Sequence, residues 1–252
     1  MLLSPKNTIV YGPVRSRRLG RSLGINLLPA SRKECSFDCQ YCQYGFAPAI
    51  ALPTSGPGVF PTPGQVLEAV EAALAVLAPP PAWLTFSGNG EPTLHPAFPE
   101  IVDQIISLRD RALPQARTAV LSNSSRLEQV EIRRALSRLD ARIMKLDVGT
   151  DAGLRRFNQA VAGLPLESIV SGLARLGGVT LQSLFAGGPS GNLQTAEVAA
   201  WVEAVTRIRP LAVQLYTLDR EAPSSGLTPA RPHELEDIRG RLAAREIPAT
   251  VY

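Results

Sequence analysis

The sequence predicts an α/β protein in which parallel strands alternate with helices. Six apolar, β-prone segments are separated by segments with helical periodicity, and the two kinds alternate along most of the 252 residues. Strands that are joined through helices pair in parallel, with right-handed crossovers. Six such units are too few for a closed eightfold barrel. The alternation is compatible with an open or partial barrel and with a doubly wound sheet.

The elements follow one another in a regular order. The predicted strands are short and apolar, as expected of strands buried on both faces: 22–28, 82–88, 117–123, 141–149, 179–188 and 211–219. The predicted helices show a 3.6-residue period: 63–77, 98–113, 127–139, 166–178, 195–208 and 233–245. Between the first strand and the first helix, residues 46–64 are rich in Pro and Gly, which indicates a long ordered loop or a lid. We expect one domain over residues 1–252, with residues 1–21 as a basic segment that leads into the first strand.

Composition narrows the class of protein. Hydrophobic residues make up 45% of the chain and the net charge is +4, which is typical of a globular protein. No window approaches the 18 apolar residues of a membrane span, and the N-terminus lacks the pattern of a signal peptide. The three cysteines lie within eight residues, a poor disulfide framework that suits a reducing compartment. We therefore expect a cytoplasmic protein with no membrane partner.

Polar residues gather where each predicted strand ends. In parallel βα folds, the loops at the C-terminal ends of the strands build the active face. The candidate positions, in chain order, are Cys35 to Cys42, Gly88 to Thr93, Ser122 to Ser124, Lys145 with Asp147, Gln182, and Tyr216 to Arg220. Such residues should meet at one face of the sheet.

The segment KECSFDCQYCQYG, residues 33–45, contains all three cysteines. They are either buried small side chains, zinc ligands or ligands of an iron–sulfur cluster. A structural zinc site commonly has four ligands, and besides the cysteines the chain offers only His95 and His233, with no second pair of cysteines. Three thiolates on a four-iron cluster leave one iron without a protein ligand. The spacing favours this last interpretation.

The spacing CxxxCxxC, with Tyr41 directly before the last cysteine, resembles the cluster-binding loop of the radical S-adenosylmethionine (SAM) superfamily. The segment FSGNGEPTLHP, residues 86–96, resembles the glycine-rich segment that follows the second strand in that superfamily. Four further segments resemble a group within it, the wyosine-base-synthase-like iron–sulfur oxidoreductases: 11–29, 120–125, 145–149 and 213–220.

This resemblance implies a fold, cofactors and an activity. The fold would be a partial (βα)6 TIM-type barrel with outer helices. Cys35, Cys39 and Cys42 would hold a [4Fe-4S] cluster whose open iron chelates SAM. The SAM-binding residues would be Tyr41, Gly88, Asn89, Gly90, Glu91, Ser122 and Asn123. Reductive cleavage of SAM would then give a 5′-deoxyadenosyl radical that abstracts hydrogen from a substrate, with electrons from an external donor such as flavodoxin or ferredoxin.

The resemblance does not extend to a substrate. Enzymes that build the wyosine tricycle carry extra N-terminal cysteines for a second cluster, and this chain has none, which argues against wyosine synthesis itself. RNA, a peptide and a small metabolite all stay open. The candidate catalytic residues are polar groups within or at the ends of apolar strands, whose partners are either a ligand or a neighbouring strand: Lys145, Asp147, Gln182, Gln214 and Tyr216.

A basic run in residues 12–33 suggests RNA or phosphate binding, since it contains six Arg and Lys residues and no acid. Arg15 to Arg21 precede the first strand, however. At ~3.3 Å per residue they would lie some 20 Å from the cysteine end unless the chain folds back. We therefore expect these arginines to form a solvated or salt-bridged cap at the barrel bottom. A non-catalytic iron–sulfur or zinc protein, acting in electron transfer or nucleic-acid binding, is the alternative function.

Overall fold

The computed structural model describes residues 2–47 and 60–252. The strands are β1 Val10–Ser16, β2 Gly20–Ile25, β3 Trp83–Phe86, β4 Arg117–Ser122, β5 Ala141–Lys145, β6 Thr180–Leu184, β7 Ala186–Gly187, β8 Ala212–Tyr216, β9 Thr228–Pro229 and β10 Ala249–Val251. The helices are α1 Pro63–Val76, α2 Phe98–Ala112, α3 Val130–Ser137, α4 Asp151–Gly153, α5 Leu166–Leu176, α6 Thr195–Ile208 and α7 Pro232–Ala243. A 3₁₀ turn spans Pro92–Leu94, and a π-helical turn, Leu154–Asn158, continues α4. All six predicted strands and all six predicted helices are present.

One sheet of eight strands organises the molecule, in the order β1-β2-β3-β4-β5-β6-β8-β10. From β2 to β10 every neighbouring pair is parallel, whereas β1 and β2 form an antiparallel hairpin. A doubly wound sheet reverses its strand order near the middle, but this order follows the chain throughout. The structure therefore has the parallel strands and outer helices of the predicted partial barrel.

Two strands of this eight-stranded sheet were not predicted from the sequence, and both lie at its edges. Strand β1 occupies part of the segment predicted as a basic leader, and its pairing of Ser16 with Gly20 closes a tight hairpin with β2. Strand β10 has three residues and, within 2–47 and 60–252, pairs only with β8. Edge strands are partly exposed, so they lack the continuous apolar pattern by which the central strands were predicted.

The core lies between the sheet and the helices. Trp201 of α6 and Phe98 of α2 are among the largest side chains that are fully buried, and each ring meets a phenylalanine edge to face, Phe185 and Phe86 respectively. No helix in residues 2–47 and 60–252 is both long and apolar enough to cross a membrane. Most of the predicted loop or lid at 46–64, namely 48–59, lies outside the described residues.

Candidate active site

The loops at the C-terminal ends of the strands surround a cavity of about 390 Å³. Most of the predicted site residues line it: Cys35, Cys39, Tyr41, Cys42, Gly88, Gly90, Glu91, Ser122, Asn123, Lys145, Gln182 and Tyr216. Asn89, Asp147 and Gln214 do not reach its wall. The structure thus brings residues from six strands and the loops after them to one place, as the parallel arrangement requires.

A buried ion pair shapes the cysteine loop. The Lys33 ammonium lies 2.7 Å from Asp38 Oδ1 and donates to the carbonyl of Gly45 at 2.9 Å, while Asp38 also accepts from the amide of Ala47. Both charged side chains are at most 7% exposed. Because these contacts join the beginning, middle and end of the loop, they hold the intervening cysteines in one curved segment.

The three cysteines are free thiols with different surroundings. Cys39 is buried and Cys35 and Cys42 are half-buried. The amide of Asn123 lies 3.5 Å from the sulfur of Cys35, and that of Asn158 lies 3.4 Å from the sulfur of Cys39. Burial raises the pKa of Cys39 to about 11 and raises the pKa of Cys35 still further. A bound metal reverses this preference, because a coordinating thiol is deprotonated.

The two histidines of the chain do not line the cavity with the cysteines. Within the described ranges, no three His, Cys, Asp or Glu side chains are arranged to hold one metal ion. His95 contacts the carbonyl of Pro61 at 2.8 Å through Nε2, and His233 is exposed on α7. Three cysteines line the cavity without either histidine, and three thiolates are suited to an iron–sulfur cluster.

Glycines allow the cysteine loop to contact the segment after β3. Glu34 and Gly90 form a parallel bridge, with the Glu34 amide donating to the carbonyl of Asn89 at 2.8 Å. Gly90 has φ of +142°, and a Cβ there would collide with the carbonyl of Glu34. Only glycine fits such a position, so Gly90 is required for the contact between the two loops.

Asn89 has a different place from its neighbours. Its side-chain amide donates to the carbonyls of Lys6 and Pro29, at 2.8 and 2.9 Å, and its Oδ1 accepts from the amide of Lys6. The side chain is fully buried. These contacts anchor the N-terminal segment beneath the loop, so the expected role of Asn89 in SAM binding stays a prediction.

Glu91 organises the part of the cavity wall beside Cys35. Its Oε1 accepts from the hydroxyls of Thr93 and Ser122, at 2.6 and 2.9 Å, and its Oε2 accepts from the amide of Asn123. Burial raises the pKa of Glu91, and these hydrogen bonds counter part of that effect. Asn123 in turn donates to Ser36 at 2.9 Å, which ties this wall to the cysteine loop.

Lys145 and Asp147, predicted on one face of the chain, form a buried ion pair of 3.4 Å. Lys145 also donates to the Tyr216 hydroxyl at 2.7 Å, and the Tyr41 hydroxyl donates to Asp147. Burial alone lowers the pKa of Lys145, but Asp147 and Tyr216 outweigh burial and raise it. The ammonium therefore stays charged and lies about equally near both tyrosine rings, 5.0 and 5.2 Å from their centroids.

The other two polar candidates pair with each other. Gln182 Nε2 donates to Gln214 Oε1 at 3.2 Å across the parallel β6 and β8 strands. Of the two, only Gln182 lines the cavity. A neighbouring strand therefore supplies a partner for these glutamines, and only Gln182 is placed to contact a ligand.

The predicted position of the basic run at the barrel bottom is wrong for Arg17 and Arg18. The β1–β2 hairpin folds back, and both arginines line the cavity with the cysteines. Arg17 pairs with Asp219 at 3.2 Å, and the Arg18 guanidinium carbon lies 4.8 Å from the ring centroids of both Tyr216 and Tyr252. Sequence reasoning missed this because it took the segment before β2 as a leader, not as a paired strand.

Comparison with known proteins agrees with this geometry. The model of the radical SAM superfamily matches residues 33–204, more than half of the chain. The UPF0026 protein slr1464 of Synechocystis sp. is 35% identical over 226 residues, which cover 85% of this chain and 77% of that protein. A UPF0026 protein of Helicobacter pylori strain ATCC 700392 / 26695 is 31% identical and matches over 88% of this chain and 69% of its own.

Solved structures show the same fold at low identity. A radical SAM methyltransferase from Sphaerobacter thermophilus has a TM-score of 0.67 and 16% identity, over 92% of this chain and 65% of that one. TYW1 with a lysine-pyruvate adduct bound has a TM-score of 0.63 and 17% identity, over 89% and 73%. Both are similar to this chain in fold. The resemblance drawn from CxxxCxxC and the glycine-rich segment is therefore confirmed at the level of the superfamily, and so is the expectation of an iron–sulfur enzyme that binds SAM. This chain belongs to the radical SAM superfamily and, within it, to the UPF0026 proteins.

Proposed function

We propose that the enzyme holds a [4Fe-4S] cluster through Cys35, Cys39 and Cys42 and cleaves SAM reductively to begin hydrogen abstraction from its substrate. One observation carries the proposal. The three cysteines line the same cavity as Glu91 and Asn123, although these residues come from three separate strand ends. A protein that only carried electrons would need no such polar wall beside its cluster.

The cysteine loop is suited to a cluster with one open iron. Three thiolates occupy three of four irons. The amides of Asn123 and Asn158 point at two of the sulfurs, and hydrogen bonds to cluster sulfurs help to set the reduction potential. The nearby Lys33 adds a buried positive charge, which favours the thiolate form of Cys35.

The part of the cavity wall formed by Gly88, Gly90, Glu91 and Asn123 is suited to SAM. Gly88 and Gly90 carry no side chains, so a ligand can approach their backbone closely. Ser122 and Asn123, which Glu91 positions, would contact the ribose or the carboxylate, and Tyr41 would lie near the adenine. Bound together, the cluster and SAM supply the reductive cleavage that yields a 5′-deoxyadenosyl radical.

The substrate side is assigned to the polar residues at the ends of β5, β6 and β8. Lys145, Gln182 and Tyr216 line the cavity and would contact the substrate. Asp147 and Gln214 contact Lys145 and Gln182 respectively, so they act as positioning residues. The cluster and SAM would share this cavity of about 390 Å³ with the substrate, so only a small part of an RNA, of a peptide or of a metabolite would enter it.

Electrons would come from another protein. Residues 1–252 contain three cysteines, all in one loop, which leaves none for a second cluster. An external donor such as flavodoxin or ferredoxin would therefore reduce the enzyme. The continuous sheet of the described residues supports one radical SAM core domain.

Anaerobic reconstitution tests the proposal. The protein is supplied with iron and sulfide, reduced with dithionite and given SAM, and 5′-deoxyadenosine is measured together with the iron content and the electron paramagnetic resonance spectrum. A variant with Cys35, Cys39 and Cys42 changed to alanine should lose the cluster signal and the product. Ser31→Ala, an exposed change just before the same loop, should retain both. A cluster that forms without any SAM cleavage would contradict the proposal and favour an electron-transfer role.

A further inference from the structure

We propose that Arg18 binds an anionic group of the substrate, a carboxylate or a phosphate, inside the cavity. The inference rests on the proposed function, because it treats the cavity as the place where a substrate meets SAM. It adds the chemical class of that substrate.

Arg18 is a half-buried cation without an anionic partner. Its guanidinium carbon lies 4.8 Å from the ring centroids of Tyr216 and Tyr252. Its Nε is buried and has no hydrogen-bond partner, and in the described part of the chain no carboxylate pairs with it. Burial lowers the pKa of Arg18, yet a guanidinium stays protonated in proteins. A desolvated charge of this kind is stabilised when an anion binds.

The other cations of the cavity wall differ from Arg18. Lys33 is paired with Asp38 and Lys145 with Asp147, both in buried contacts. Arg17 is paired with Asp219, although both side chains are about two-thirds exposed. Arg220 is exposed at the mouth. Among the described residues of this wall, Arg18 is therefore the half-buried cation that contacts aromatic rings but pairs with no carboxylate.

A series of side-chain contacts separates Arg18 from the cysteine loop. A row of contacts runs from Arg18 to Tyr216, from Tyr216 to Lys145 and from Lys145 to Tyr41, which is next to Cys42. An anion on Arg18 would thus be held at the β8–β10 edge of the sheet, with this row between it and the cysteine loop. The rest of the substrate could then extend toward the cluster.

The chemistry of the side chain selects the ligand class. The planar guanidinium presents a fork of N–H donors that matches a carboxylate or a phosphate in two parallel hydrogen bonds. The rings of Tyr216 and Tyr252 lie near the guanidinium carbon. Their cation–π attraction favours one orientation of the guanidinium plane. A neutral substrate would leave both the charge and the buried Nε unsatisfied.

Isothermal titration of purified protein comprising residues 1–252 with malonate, and separately with inorganic phosphate, tests the inference. We expect one of the two probes to bind and Arg18→Gln to weaken that binding about tenfold or more, as for loss of a charge-assisted hydrogen bond. Arg18→Lys should retain part of the affinity because it keeps the charge. Arg15→Gln removes the same charge from an exposed site on the same hairpin and should leave the affinity unchanged.

Preference for malonate would identify a carboxylate substrate, and preference for phosphate would identify a phosphorylated one. No binding of either probe, equal binding by Arg18→Gln and the unaltered protein, or equal loss in Arg15→Gln would overturn the inference. The titration needs neither cluster nor reductant, so its result is separate from SAM cleavage. Anion binding without 5′-deoxyadenosine would reject the proposed function alone, and the reverse result would reject the anion site alone.

Discussion

At the scale of single residues, the site depends on how closely two backbones approach. Gly90 lies where the cysteine loop and the segment after β3 form their bridge, and its φ of +142° belongs to a region that side chains rarely adopt. A Cβ there would collide with the carbonyl of Glu34 and approach Cys35. The contact that places Cys35 beside the Glu91 wall therefore requires the absence of a side chain.

We expect Gly90→Ala to lower the free energy of unfolding by roughly 1–3 kcal/mol, because alanine must adopt a strained backbone and push the cysteine loop away. Urea denaturation measures the change, and the iron content after reconstitution should fall with it. The control is Gly240→Ala in α7, where an added Cβ meets nothing within 4 Å. That change should leave stability unaltered or raise it by up to ~1 kcal/mol. Equal unfolding midpoints for both variants would contradict the requirement for glycine at residue 90.

At the scale of elements, the carboxylate of Asp140 connects the start of β5 with β4 and α2. Asp140, just before β5, accepts from the amide and hydroxyl of Thr118 in β4, at 2.7 and 2.9 Å. It also pairs with Arg109, in the last turn of α2, at 2.7 Å. Burial alone would raise the pKa of Asp140, but Thr118 and Arg109 outweigh it and hold the pKa below the ordinary 3.8.

This depressed pKa predicts a pH-dependent contribution to stability. A carboxylate whose pKa is lower in the folded state stabilises the fold above its unfolded pKa, and the effect disappears as pH falls through the folded value. We therefore expect Asp140→Asn to be less stable than the unaltered protein at pH 7, with the difference shrinking once the pH drops below about 3.8. Urea midpoints across this range measure it. Glu131→Gln, an exposed change in α3, should show no comparable trend, and a constant difference for Asp140→Asn would count against the account.

At the scale of the whole molecule, the buried carboxylate of Asp147 connects four segments of the chain. It accepts from Tyr41 of the cysteine loop, from Asn158 of the π-helical turn at 2.8 Å, and from the amide of Leu184 at the end of β6 at 2.8 Å. It also pairs with Lys145 of β5. The position of the cysteine loop relative to the ends of β5 and β6 thus depends on the carboxylate of Asp147.

Asp147→Asn should lower the free energy of unfolding by about 3–5 kcal/mol, because it leaves the Lys145 ammonium buried without its counter-charge. Asp237→Asn breaks an exposed pair on α7 and should cost at most ~1 kcal/mol. Urea denaturation of both variants measures the contrast. The double variant Lys145→Met with Asp147→Asn should recover part of the loss, and a double variant as unstable as Asp147→Asn would show that the ion pair is not the cause.

By itself, the sequence determined the alternation of six strands and six helices, since periodicity records which face of each segment is buried. It also determined the cysteine loop and the glycine-rich segment, because CxxxCxxC and the residues around Glu91 are local patterns. These features need no knowledge of distant partners. They were sufficient to predict the superfamily and twelve of the residues that line the cavity.

Only the tertiary structure decided where Arg18 lies. The β1–β2 hairpin folds back through strand pairing, and a short, partly exposed edge strand lacks the apolar pattern that would predict this pairing from the sequence. The same holds for Asn89, whose amide contacts the distant Lys6 segment, and for Asp147, whose partners are separated from it by up to 106 positions. A side chain's direction depends on the hydrogen-bond partners that folding brings near, since a buried polar group is stable only when it is paired.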